Sequence, residues 1–224
     1  MEMFFTVLQY AGIIAFAVAG AMIAVDKETD LVGVVVLAVV TAFGGGIMRD
    51  LFLGHTPPRF FTDYAIELSV TVLCALAVFV FARIFSSFFI NNERKINSIV
   101  NIFDAIGIGI FSVYSVNLSF EAGYSAPIVA ISMGVVASVG GGLIRDIIIG
   151  DVPFILRKHI YILAALAGAF TYYALIIWAG SSVYLATALG VALTFILRML
   201  ATVFKWNLPR AIDFEKVRGN KNKD

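Results

Sequence analysis

The sequence has few of the residues with which soluble enzymes carry out chemistry. Its 224 residues include one cysteine, two histidines and five prolines, and only 14% of them are charged. The single cysteine, Cys74, excludes a disulfide framework and a metal site built from several cysteines. No HExxH or GxSxG pattern occurs, and His55 and His159 lie in a loop or at the edge of an apolar run. These absences predict no catalytic site, no metal site and no cofactor. A net charge of +1 gives no indication of a nucleic-acid partner.

Apolar residues are abundant instead. They make up 61% of the chain, whose mean hydropathy is +0.96, whereas soluble domains are nearer 45–50% apolar. Seven runs approach the roughly 20 residues that cross a bilayer. The first run is too long for a signal peptide and has no basic segment before it, so it is predicted to be the first span. The sequence therefore predicts an all-α polytopic membrane protein with spans at 3–25, 31–53, 64–85, 98–118, 125–149, 159–178 and 182–204.

The positive charges are distributed unevenly about these spans. With seven spans the two ends of the chain lie on opposite sides of the membrane. Only Arg49 and Arg59 fall on the side of the first residues, and the other fourteen of the sixteen Lys and Arg fall on the opposite side. The positive-inside rule then predicts a multi-pass protein of the cell (inner) membrane with its N-terminus outside. It also predicts a cytoplasmic C-terminus, with residues 209–224 as a charged tail.

A motif of seven residues occurs twice. GGGIMRD at 44–50 returns as GGGLIRD at 140–146, and the following Gly54 and Pro57 return at the same spacing as Gly150 and Pro153. Each Gly-x-x-Pro is predicted to stop its helix, since glycine suits a left-handed cap and proline prevents continuation. Because the repeated unit contains three spans, an odd number, the second copy enters the membrane inverted relative to the first. The prediction is a 3 + 3 inverted repeat, at 1–90 and 91–180, followed by a seventh helix at 181–208.

The glycine triplets are costly, since each glycine destabilises a helix by about 1 kcal/mol relative to alanine. They predict kinks in spans two and five that free backbone carbonyls toward a protein-lined cavity. In inverted repeats such interrupted helices meet near the midplane, around the transport path. The alternative is that the small residues only allow close helix packing. The six candidate residues of the kink are Gly44, Gly45, Gly46, Gly140, Gly141 and Gly142.

An Arg-Asp pair follows each triplet at membrane depth. Arg49 and Asp50 are predicted near the external mouth, and Arg145 and Asp146 near the cytoplasmic mouth, as charge-balanced gates. The alternative is that each Arg extends to the interface while each Asp binds the loop backbone. Neighbouring side chains on a helix project about 100° apart, so at least one of each pair is expected to contact another helix.

Other polar residues inside the spans are candidates to line a pore. Asp104 in span four corresponds roughly to Gln9 in span one, and Thr41 and Ser138 lie a turn or less before the triplets. Ser115 gives one face of span four a polar character. A hydroxyl at these positions stabilises a bent helix by bonding to its carbonyls.

The doubled motif resembles that of the prokaryotic trimeric intracellular cation (TRIC) channels, a family also catalogued as a "glycine transporter" domain. Residues 15–21 (AFAVAGA) and 104–111 (DAIGIGIF) are similar to the family's motifs in spans one and four. The resemblance implies a homotrimer in membrane lipid, with one hourglass pore per protomer. Potassium or sodium would pass along spans one, two, four and five, with the triplets at the waist. No TVGYG-like filter occurs, so modest selectivity is expected.

Two other functions compete with the channel. Inverted repeats with broken helices are typical of secondary transporters. Transport of a small solute such as glycine is therefore an alternative function for this chain. A seven-span retinal protein is disfavoured because span seven has no mid-membrane lysine, since Lys205 lies at its end.

Overall fold

A computed structural model describes residues 1–157, 160–204 and 206, and within these ranges every regular element is a helix. The predicted tail at 209–224 and His159 lie outside the described residues. In the described part seven helices are long and apolar enough to cross a membrane, which confirms the all-α polytopic prediction. The helices are α1 (Glu2–Asp26), α2 (Leu31–Phe52), α3 (Arg59–Thr62), α4 (Ala65–Ile84), α5 (Ser86–Asn91), α6 (Glu93–Glu121), α7 (Pro127–Ile148), α8 (Phe154–Arg157), α9 (Ile160–Ile177) and α10 (Val183–Val203).

Local sequence explains where the duplicated spans begin and end. The side chain of Asp30 caps α2 by accepting a hydrogen bond from the Gly33 amide at 2.8 Å, and Pro127 occupies the first turn of α7. Beyond the other end of these helices, Gly54 and Gly150 adopt φ angles of +77° and +73°. Glycine reaches this left-handed region without strain, so the predicted Gly stop after each Arg-Asp pair is confirmed.

Successive spans run in alternating directions. Glu2, Arg59 and Glu121 gather at one end of the bundle, and Asp26 and Asp151 gather at the other. We call these the amino-terminal end and the carboxy-terminal end. Each duplicated unit thus has three spans, α1, α2 and α4 in the first and α6, α7 and α9 in the second, and α10 packs against α6 and α9. The centre is formed by α1, α2, α6 and α7, and α6 is the most buried span.

The helical pattern continues without a break through both glycine triplets. The predicted kinks in spans two and five need no break in the helical pattern and stay a prediction, but the triplets do not unwind to release backbone carbonyls. The physical reason is that α2 and α7 pack directly against each other at the triplets, so the missing side chains serve a helix–helix contact.

Candidate functional site

The first two glycines of each triplet form the crossing of α2 and α7. A methyl group added to Gly45 would overlap the carbonyl oxygen of Ala137, and one added to Gly141 would overlap that of Thr41. Ala137 and Thr41 are themselves 96 residues apart, as the two glycines are. The contact of Gly45 with Ala137 and the contact of Gly141 with Thr41 are therefore related by a pseudo-two-fold axis that passes between the two helices, as an inverted repeat requires.

The third glycine of each triplet has a different neighbour. A methyl group on Gly46 would lie 3.8 Å from the guanidinium of Arg49, and one on Gly142 would lie 3.5 Å from that of Arg145. Because residues three apart lie on the same helix face, the absent side chain leaves room for the arginine to turn inward. The spacing GGG-x-x-R thus combines a helix crossing with a buried cation.

Each arginine pairs with the aspartate that follows it. Two guanidinium nitrogens of Arg49 donate to Asp50 Oδ1 at 2.9 and 2.6 Å, and those of Arg145 donate to Asp146 Oδ1 at 2.9 and 2.7 Å. Both arginines are buried, at 1% and 0% exposure, so the alternative that they extend to the interface is wrong. Charge-assisted hydrogen bonds of this kind are roughly twice as strong as those between neutral groups.

The second carboxylate oxygen of each aspartate holds the loop beyond the helix. Asp50 Oδ2 accepts the Arg59 amide at 3.1 Å, and Asp146 Oδ2 accepts the Phe154 amide at 2.8 Å. This part of the alternative interpretation agrees with the structure. The expected contact with another helix occurs for the first pair, because Arg49 Nη1 donates to Ser115 on α6 at 3.2 Å.

A third ion pair involves a residue that the sequence did not single out for the site. Arg198 on α10 donates through Nη2 to Asp104 Oδ2 at 3.2 Å, and Tyr161 on α9 donates to Asp104 Oδ1 at 3.0 Å. The guanidinium carbon of Arg198 lies 4.4 Å from the centre of the Tyr161 ring. An arginine inside an apolar span is the signal that points to Arg198, because such charges seldom occur without a function.

The equivalent position in the first repeat is uncharged. Gln9 Oε1 accepts a hydrogen bond from Tyr114 at 2.9 Å, and Gln9 is buried. The two remaining candidates bond to their own helices, Thr41 to Leu37 at 2.6 Å and Ser138 to Val135 at 2.9 Å. Both hydroxyl groups thus donate hydrogen bonds to backbone carbonyls of their own helices, as the sequence predicted.

Polar cavities open at both ends of the bundle. The cavity at the amino-terminal end has a volume of about 230 Å³, and that at the carboxy-terminal end about 360 Å³. Asp146 lines the latter, so one of the predicted gate residues lies at a cavity. The five predicted pore-lining residues are absent from both linings as far as the described chain shows. The first cavity includes Glu2, Thr6, Arg59, Tyr114 and Glu121 in its lining, and the second includes Asp26, Lys27, Asn97, Asn101 and Asp151.

An apolar cluster separates the two cavities. It extends from Phe5 and Tyr114, which line the first cavity, to Phe154, which lines the second. At its middle Phe16 of α1 and Phe111 of α6 stack with ring centres 5.4 Å apart. The apolar side chains of this cluster offer no polar contact to water or ions.

The aromatic stack follows the same pseudo-symmetry as the glycine crossing. Phe111 lies against Gly12 of α1, and Phe16 lies against Gly107 of α6, each without room for a methyl group at the glycine. In both pairs the residues of the second repeat lie 95 positions after those of the first. The centre thus contains two symmetric contacts, one between α2 and α7 and one between α1 and α6.

These features define a class: a seven-span membrane protein made of an inverted three-helix repeat, with paired buried ion pairs and a polar cavity at each end. The chain is similar to a structure that addresses conductance through TRIC cation channels, with 37% identity, a TM-score of 0.79 and coverage of 93% of this chain and 97% of the other. It is also similar to a TRIC trimeric intracellular cation channel orthologue from Rhodobacter sphaeroides, with 35% identity, a TM-score of 0.80 and coverage of 90% and 98%. The predicted TRIC resemblance is confirmed.

The family follows from the sequence comparisons. A family model described as "Glycine transporter" matches residues 6–83 and 101–177, once in each three-helix unit, so the chain belongs to this family. The UPF0126 inner membrane protein YadS of Escherichia coli K12 is 32% identical to it, over 90% of this chain and 92% of the relative.

Proposed function

We propose that this chain is a channel for monovalent cations, potassium above all, with one pore inside each protomer of a homotrimer. The observation that carries the proposal is the pair of polar cavities at opposite ends of one pseudo-symmetric four-helix core. Its similarity to TRIC cation channels supports the same function. The pore would run between α1, α2, α6 and α7.

The charges of the cavities favour cations. At the carboxy-terminal end Asp26, Asp146 and Asp151 face the cavity with Lys27 as the only basic residue in its lining, as far as the described chain shows. At the amino-terminal end Glu2 and Glu121 accompany Arg59. Lys27 pairs with Asp151 and Arg145 pairs with Asp146, so the cavity at the carboxy-terminal end has one negative charge in excess. A cleft with an excess of one sign concentrates counter-ions, and this cavity would therefore favour cations over chloride.

The central barrier would be the gate. The stacked Phe16 and Phe111 and the crossing of Gly45 with Gly141 close the space between the cavities. Hydrophobic constrictions gate channels by losing and regaining water, so opening requires α1 and α6 to separate at the aromatic stack. The glycine contact would then be a fixed pivot at the waist, and carbonyls need not be freed there.

A secondary transporter of a small solute such as glycine is the second candidate. Inverted repeats around an occluded midplane are its usual architecture, and the description of the family model points to it. The midplane here is filled by apolar and aromatic side chains, however, and a zwitterionic substrate needs polar groups at its site. The side chains at the centre therefore fit a channel better than a transporter of a zwitterionic solute.

Membrane placement follows from charge and relatives. The excess of Lys and Arg at the carboxy-terminal end supports a cytoplasmic C-terminus and an outside N-terminus. The name of the Escherichia coli relative supports the inner membrane. Membrane lipid is then the partner of the outer helix faces, and no cofactor is proposed.

Recording from the purified protein in planar bilayers with asymmetric potassium chloride tests the proposal. Discrete unitary currents that reverse near the potassium equilibrium potential are expected. Glycine uptake into matched liposomes, with silent bilayers, would instead establish the transporter. Empty liposomes and bilayers, carried through the same purification steps, are the control.

A further inference from the structure

The buried acidic side chains differ in how fully they are compensated. Asp146 accepts three hydrogen bonds, two from Arg145 and one from the Phe154 amide. Asp104 accepts two, one from Tyr161 and one from Arg198, at 3.0 and 3.2 Å. Asp104 is nevertheless buried, at 3% exposure. Asp104 therefore has the fewer hydrogen bonds of these two carboxylates, although the charge of Arg145 also acts on it.

Arg198 is held more loosely than the other buried arginines. Arg145 reaches its aspartate through two nitrogens, whereas Arg198 reaches Asp104 through one. Nε of Arg198 has no hydrogen-bond partner within the described part of the chain, and the same holds for Nη1 of Arg145, so the difference between the two arginines lies in the number of nitrogens that reach the carboxylate. The remaining contact of the guanidinium is the face of Tyr161, which attracts a cation without fixing its direction.

This ion pair breaks the symmetry of the two repeats. The position equivalent to Asp104 is Gln9, which is neutral and needs no counter-charge. The arginine comes from α10, the helix that lies outside both repeats. The second repeat thus carries one additional buried negative charge, and the seventh helix supplies the cation that offsets it.

Asp104 lies next to the cavity at the carboxy-terminal end. Asn97, Val100 and Asn101 of α6 line that cavity. Asp104 follows them by three to seven residues, so it continues the same helix face one turn deeper. A cation that moves inward from this cavity would reach the Asp104 carboxylate next.

We propose that Asp104 is a binding site for a permeating monovalent cation and that Arg198 is a tethered cation that occupies it in the closed state. Arg198 and potassium compete for one carboxylate, so withdrawal of the guanidinium opens the site to the ion. This assignment rests on the proposed channel function and deepens it. It makes α10 a determinant of selectivity in addition to the repeats.

Arg198→Gln tests the competition, because it leaves the Asp104 charge without its tethered partner. In bilayers the ratio of potassium to chloride permeability is expected to rise about threefold or more, since a unit charge acts strongly at this depth. The double variant Asp104→Asn/Arg198→Gln should return the ratio to the wild-type value or below it. Arg198→Lys, which keeps a tethered cation, should resemble the wild type.

Thermal unfolding measures cation binding without any recording of ionic current. Potassium chloride is compared with N-methylglucamine chloride at equal ionic strength, and only potassium is small enough for the site. The Tm of Arg198→Gln should be about 2 °C or more higher in potassium. The wild type and the double variant should show no difference between the two salts.

Thr194→Val is the matched control, since Thr194 lies one turn before Arg198 and bonds to the Ala164 carbonyl without touching Asp104. It should leave the permeability ratio unchanged. If Arg198→Gln does not fold, the Asp104→Asn variant tests the proposal instead. Its unpaired Arg198 should lower the ratio of potassium to chloride permeability relative to the double variant.

The proposal is overturned if Arg198→Gln keeps both the wild-type ratio and a potassium-independent Tm, or if the double variant keeps the Arg198→Gln behaviour. A change of the same size in Thr194→Val would also overturn it, since general packing of α10 would then be responsible. A silent wild type would contradict the channel itself. The thermal comparison would then decide the cation site alone.

Discussion

Neighbouring glycines in one triplet have separate tasks at the scale of single residues. Gly45 faces the backbone of α7, and Gly46 faces the guanidinium of Arg49. The sequence predicted that the triplets were special, but a run of three identical residues cannot show which one meets a backbone. That distinction depends on the rotation of α2 about its axis, which tertiary packing sets.

Alanine substitutions separate the two tasks. Gly45→Ala should lower the Tm substantially, because the new methyl group overlaps the Ala137 carbonyl oxygen and forces the helices apart. Gly46→Ala should leave the Tm unchanged or raise it, because its methyl group meets only an ordinary contact at 3.8 Å and alanine favours the helix by about 1 kcal/mol.

Thermal unfolding of both variants in the same detergent measures the difference. Gly141→Ala is expected to behave as Gly45→Ala does, since it overlaps the Thr41 carbonyl oxygen. Equal Tm values for Gly45→Ala and Gly46→Ala would contradict the assignment of the crossing.

At the scale of helices, more of the repeat than of the ion pairs could be predicted from the sequence. The two GGG-x-x-RD motifs predicted the inverted spans and the Gly stops, because these depend on spacing along the chain. The partner of Asp104 could not be predicted in this way. Arg198 lies 94 residues away on a helix outside the repeat, so only the packing of α10 against α6 brings them together.

The crossing of α1 and α6 is the element on which opening should depend. Phe16→Ala removes one ring of the stack with Phe111 and leaves space between the two cavities. Because a wider and less apolar constriction holds water more readily, the open probability in bilayers should rise several-fold. Single-channel recording at fixed voltage measures it.

Phe52→Ala is the control for that experiment, since Phe52 is a phenylalanine on α2 with 66% of its surface exposed. It should leave the open probability unchanged. An unchanged open probability in Phe16→Ala as well would show that the barrier lies elsewhere, for example at the glycine crossing.

At the scale of the whole molecule, composition and repeat together predicted seven spans whose ends alternate, and the structure agrees. Which end faces the cytoplasm is a different matter. A fold with two inverted halves is nearly the same from either side, so shape carries little information about orientation. The bias in Lys and Arg carries it instead, because insertion responds to charge in the short loops.

Cysteine labelling in intact cells tests this orientation. Cys74 is the only cysteine in the sequence, so Cys74→Ser gives a background without thiols. In it, Asp63→Cys at the amino-terminal end should react with a membrane-impermeant maleimide from outside. Lys95→Cys at the opposite end should react only after the membrane is permeabilised. Both positions are exposed in the structure, so a difference in reactivity reports the side of the membrane. The reverse pattern would place the Arg145–Asp146 pair and the larger acidic cavity on the outside, and cations would then meet Asp104 from there.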